Sequence, residues 1–209
     1  MEIVLPVVLL VVLGGMGALV ARSLRRRKDF LQAVTPDGTE LPDLQTEQRL
    51  TATLRRLWRD AQQGLPLVEA GTETLKLVFC PTDHAASAER YKTGIGKPAE
   101  LALFGLATLA PGGIEAIRHQ IVDADKHALS AQTVLLLRQG QFDNDYVVVC
   151  RLLSQRPAIW GELALTVWRA QVQEQGGQPL VIELAVPQET DLTENTFAHG
   201  SVRLFGYLP

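Results

Sequence analysis

Cys80, Asp83 and His84 lie within five residues of one another, in the run Cys80-Pro81-Thr82-Asp83-His84. A thiol becomes a nucleophile when a base or a helix N-terminus lowers its pKa. Here Asp83 can orient His84, and a helix can begin just beyond a preceding strand. The run is therefore the chain's candidate catalytic set, with the cysteine as nucleophile and the histidine as base. The competing reading is a buried structural thiol, since cysteine is among the most often buried residue types and no wider signature surrounds this one. Cys150, inside Val147-Val148-Val149-Cys150, reads as a core residue. The two cysteines have no metal-ligand spacing, and in a cytoplasmic domain both are expected to be reduced.

His119, Asp123 and His127 recur every four residues, a spacing at which one helix face can present metal ligands. The wheel argues for a solvated face instead. Ile114, Ile117, Ile121, Ala124 and Ala128 take the apolar side, and the His-Asp-His row falls opposite. Gly94-Ile95-Gly96-Lys97 superficially resembles a phosphate-binding loop, because backbone N–H groups at a helix start attract anions. It lacks the glycine spacing and the Ser or Thr after the lysine, and Pro98 removes a donor. The stretch Pro187–Gly200 is long and polar, carries Glu189, Asp191, Glu194 and His199, and reads as a connector or a binding loop. No cofactor motif is present.

The elements that must position these residues begin with an anchor. The 19 residues from Ile3 to Ala21 contain no charge, and a bilayer-spanning helix needs roughly 17–25 apolar residues. A cleaved signal peptide would carry its cations before the apolar run; a core helix would not end in Arg22, Arg25, Arg26, Arg27 and Lys28. The expectation is a single-pass transmembrane helix with the N-terminus outside and the rest of the chain cytoplasmic. Its basic flank suits anionic headgroups. Gly14 and Ala18 form a small-x-x-x-small pair suited to helix association.

Five of the 20 Lys and Arg fall at positions 22–28 and one of the 23 acids is Glu2. That leaves 15 cations against 22 anions, a net of −7 from Asp29 onward. Such a balance argues against nucleic acid as a partner, which needs a clustered basic face. Residues 29–43, with Thr35-Pro36-Asp37-Gly38 and Leu41-Pro42-Asp43, read as a linker.

Residues 44–209 then read as one α+β domain, helices first and a mainly antiparallel sheet in the C-terminal half. Leu50, Leu54, Leu57, Trp58 and Ala61 predict an amphipathic helix over 44–63, packed on its own domain or laid on a membrane surface. A hairpin over 65–79 and a short helix over 84–92 follow. Pro98 to Ala110 reads as a buried helix started by proline, and 114–129 as an amphipathic one. Strands are expected over 133–137, 146–153, 180–186 and 201–207, and residues 162–174 lean to strand over helix. The resulting functional expectation is a membrane-anchored accessory, scaffold or docking protein, with lipids and a protein partner. A membrane-tethered thiol enzyme at Cys80/His84 and a small-ligand sensor are the alternatives.

Overall fold

The computed structural model describes residues 44, 46–60, 64–73, 75–118, 129–138, 143–160, 163–173, 178–188 and 190–209. Nine strands and two helices are found among them: β1 (Arg49–Arg59), β2 (Pro66–Gly71), β3 (Lys76–Pro81), α1 (His84–Gly94), β4 (Pro98–Pro111), α2 (Ile114–Ile117), β5 (Leu135–Arg138), β6 (Asp145–Trp160), β7 (Leu163–Val172), β8 (Leu180–Pro187) and β9 (Phe197–Tyr207).

The centre is a ten-pair antiparallel ladder between β4 and β9, from Ala102↔Tyr207 to Pro111↔Ala198. Each of its strands has two further partners along its outer edge. The start of β4 pairs with β1 and its middle with β8. The first part of β9 pairs with β6 and its end with β3. Because β1 pairs with β2 and β2 with β3, one hydrogen-bonded ring closes through β1-β2-β3-β9-β4. Because β6 pairs with β7 and β7 with β8, a second ring closes through β9-β4-β8-β7-β6. The described strands thus form two five-stranded barrels sharing one ladder, with β5 added along β6. Closure leaves few open strand edges, which otherwise template aggregation. Among the described strands only β3–β9 and β4–β8 pair in parallel.

Both barrels turn the same face of the shared ladder inward. Leu101, Leu103, Ala107 and Leu109 of β4 join Val202 and Leu204 of β9 in one core cluster running through both barrels. Small residues mark the waist. A Cβ on Gly105 would lie 2.3 Å from Val202 Cγ2 and 2.8 Å from Leu184 Cδ2, so the barrels meet where only hydrogen fits. The fork on β9 is closed by polar groups. Leu204 N–H donates to Asn144 C=O at 3.0 Å, and the Asn144 amide returns a 3.0 Å bond to Leu204 C=O. Beside it the buried Tyr146 hydroxyl accepts from Val78 N–H at 2.7 Å, tying β6 to β3. A satellite cluster of Ile114, Ile117, Leu135 and Val149 seats α2 against β5 and β6.

Several expectations are corrected. The domain is not α+β with helices first; it is mainly β from its first element. The helix expected over 44–63 is β1. A β-bulge between Leu54 and Arg56 inserts one residue, so the core-contacting positions become 50, 52, 54 and 57. That spacing contains the i, i+4, i+7 pattern of a helix. The helix expected over Pro98–Ala110 is β4. It is buried on both faces, and a two-sided strand is a continuous apolar run with no alternation to read. The helix from Ile114 is described only as far as Ile117. The expectation of a single-pass membrane protein is likewise not supported: no helix among the described residues is long and apolar enough to cross a membrane. The run Ile3–Ala21, its flank Arg22, Arg25, Arg26, Arg27 and Lys28, the pair Gly14 and Ala18, and the linker lie outside the described residues.

Candidate functional site

The Cys80-to-His84 run joins the end of β3 to α1, as the sequence order requires, but it does not assemble a thiol–base pair. Cys80 lies on the outer face of its barrel opposite Phe205 and is fully buried. Burial pushes its thiol up to about 12, although the Arg203 guanidinium pulls the other way. Arg203 is itself committed to Asp145, at 2.7 and 3.1 Å. Asp83 is a partly buried anchor. It accepts from the Tyr91 hydroxyl at 2.6 Å and from Leu208 N–H at 3.3 Å. His84 stacks on Tyr91 with ring centroids 6.5 Å apart. Arg90 adds 3.3 Å bonds to the carbonyls of Leu208 and Pro209. The cluster therefore latches the last residues onto α1. Burial and the Asp83 carboxylate raise the Tyr91 phenol well above its ordinary value. Cys150 lies inside the second barrel, where burial also pushes its thiol up to about 12.

His119, Asp123 and His127 lie outside the described residues. Among the described residues no group of three His, Cys, Asp or Glu is arranged to hold a metal ion. Gly94-Ile95-Gly96-Lys97 is a tight connection from α1 to β4, and its amides point at the chain itself. Gly96 N–H donates to Leu54 C=O at 2.7 Å and Lys97 N–H to Gly94 C=O at 2.9 Å. His199 belongs to β9 rather than to a loop, with its Nδ1 3.3 Å from Gly112 C=O. An open cleft of about 430 Å³ beside β1 is lined by Thr51, Thr53, Arg55, Thr72, Glu73 and Pro98. Arg55 there donates to Thr72 C=O at 2.5 Å, and Glu73 sets an anion on the same rim.

Among the described residues, the most exposed large hydrophobic side chain, Ile159, lies elsewhere, near the end of the β6–β7 hairpin. β6 is 16 residues long because it serves two neighbours in turn. It pairs with β9 as far as Arg151, passes a bulge between Leu152 and Ser154, and continues to Trp160 against β7. β8 pairs with β7 as far as Leu165↔Pro187, and Gln188 N–H donates to Ala164 C=O at 3.3 Å, so of β7 only Leu163 runs past this neighbour. Cross-strand pairs share a face. Trp160 and Leu163 lie on the outer face, above the buried Leu165 and Val167; Ile159 and Ala164 lie on the opposite one. Ile159 is 77% exposed and Leu163 45%. These are two of the three exposed large hydrophobics among the described residues.

At the foot of the hairpin Arg156 pairs with the buried Glu183 at 2.7 Å, which orients that face and neutralises the carboxylate. From Pro157 to Trp168 the sequence contains one charge, Glu162. That near-neutral run on both sides of Gly161-Glu162 was the available signal. The chain matches no protein-family model and no curated protein.

Proposed function

We propose that this protein is an accessory or docking module that engages a larger assembly through the end of its β6–β7 hairpin. The observation that carries this reading is the pair of exposed side chains, Ile159 and Leu163, around the half-buried Trp160 on a paired hairpin. Isolated exposed leucines are ordinary. Large apolar groups gathered on one projecting tip are the usual mark of a contact surface. Burying a side chain of this size yields about 1.5–3 kcal/mol, enough for two or three of them to define a docking point. The thiol-enzyme alternative gains nothing from a fully buried Cys80.

The test is a comparison of full-length wild type with the double variant Ile159→Ser/Leu163→Ser, purified gently from the producing cell. The variant is expected to keep its fold by circular dichroism and to lose association with whatever wild type holds. Identical association in both would remove the hairpin from this role. Location is a separate proposal, supported by sequence alone. The cations that follow the apolar run Ile3–Ala21 favour attachment to a membrane face with the β domain on the cytoplasmic side. Membrane fractionation, with protease access to residues beyond 44 in sealed vesicles, checks both parts.

A further inference from the structure

We propose that the surface met by the hairpin end is the interfacial layer of a zwitterionic bilayer, entered by Ile159, Trp160 and Leu163; this rests on the docking reading of the same hairpin. Four features favour lipid over a protein surface. The first is that the end is apolar on both faces, with Ile159 on one and Trp160 and Leu163 on the other. A flat protein surface covers one face of a hairpin, whereas an interfacial layer surrounds both.

The second is area. A standard protein interface takes about 800 Å² from each partner, and an aromatic side chain supplies only about 150–250 Å². Three side chains fall short of a protein interface and suffice for a shallow membrane contact. The third is the backbone. Beyond Leu152, which still bonds to Asn195 and Thr196, no described strand pairs with the edge of β6 away from β7, but Pro157 stands in the middle of it and has no N–H to offer an added strand. Side chains, not strand addition, must make the contact. The fourth is residue type. Tryptophan favours the boundary between water and hydrocarbon, where its ring is buried and its N–H stays wet. With Arg156 paired to Glu183 and no Lys or Arg from Pro157 to Trp168, anionic headgroups add no attraction.

The experiment uses the full chain reconstituted in phosphatidylcholine vesicles, with and without bromine on the lipid acyl chains. Bromine quenches tryptophans at or below the headgroups. Trp168 is buried in the core and Trp58 is half-buried on β1, so both give a background. Wild type is expected to lose more emission than Trp160→Phe, and the difference should persist when phosphatidylserine replaces part of the phosphatidylcholine. A fluorophore on Ile159→Cys gives a second reading that leaves Trp160 in place, with a blue shift expected in vesicles. Equal fractional quenching in wild type and Trp160→Phe, with no shift at position 159, overturns the proposal. If a photo-cross-linker at 159 then captures one specific protein, the docking reading stands and lipid is replaced as its target. If the Ile159→Ser/Leu163→Ser variant also behaves as wild type, both readings fall.

Discussion

Removing one oxygen atom from Tyr146 tests the seam between the two barrels. Tyr146 is 1% exposed, and its hydroxyl accepts from Val78 N–H at 2.7 Å while lying 3.3 Å from Val78 C=O. Val78 sits opposite Glu69 in the β2–β3 ladder. Its amide points away from β2, into the fork where β3 and β6 leave β9. Tyr146→Phe keeps the ring and its packing and leaves this buried amide without its acceptor. An orphaned buried backbone group costs about 1–3 kcal/mol. The carbonyl bond is long and adds little, so the expected loss is about 2 kcal/mol. With a urea m-value of about 2 kcal/mol/M for a domain of this size, the midpoint should fall by about 1 M at unchanged m. Hydrogen exchange at the Val78 amide should accelerate alongside. A shift below about 0.2 M with Val78 still protected would show that the seam does not depend on this bond, and would refute the reasoning.

Other consequences are equally direct. Asp83→Asn weakens the acceptor shared by Tyr91 and Leu208; it should cost about 1–2 kcal/mol and speed exchange at the Leu208 amide, with little change in the second barrel. Gly200→Ala places a Cβ 1.9 Å from Thr108 C=O inside the shared ladder. Because backbone cannot yield there, it should cost more than about 3 kcal/mol or abolish folding, measured against a benign Trp160→Phe control. Both thiols, pushed up to about 12 from 9.0, should resist iodoacetamide near neutral pH and react only after unfolding. Since their folded values lie above the unfolded ones, their contribution to stability is complete below pH 9. It should be lost as pH rises towards 12, visible as a fall in melting temperature across that window that Cys80→Ala partly removes.

The parts of the fold legible in the sequence are short stretches without a bulge, bounded by turn residues. The β2–β3 hairpin, α1, β5, β8 and the end of β9 carry alternation, turn residues or a strong apolar block, and they fall close to where those patterns place them. β1 and β4 did not, for two different reasons. The bulge in β1 broke its alternation into a helical spacing. Burial of β4 on both sides, within a run rich in leucine and alanine, removed alternation altogether. Neither strand can be recognised from its own residues, because its neighbours decide which faces are covered.

For the candidate site, the cysteine, aspartate and histidine were visible in the sequence and their relation was not. Only the tertiary structure turned Cys80 towards Phe205 and gave Asp83 to Tyr91 and Leu208, residues 8 and 125 positions away. The sequence by itself determined the local quantities: an apolar N-terminal run with cations behind it, an acidic domain, two cysteines without metal spacing, and one nearly uncharged stretch from Pro157 to Trp168. The tertiary structure decided that β4 and β9 are shared by two barrels, that both thiols are sealed in, and that Ile159 and Leu163 of that stretch are open to solvent. The physical reason is that composition and period record what each residue prefers. Exposure and pairing depend on partners far along the chain, and the β4–β9 ladder joins residues about a hundred positions apart.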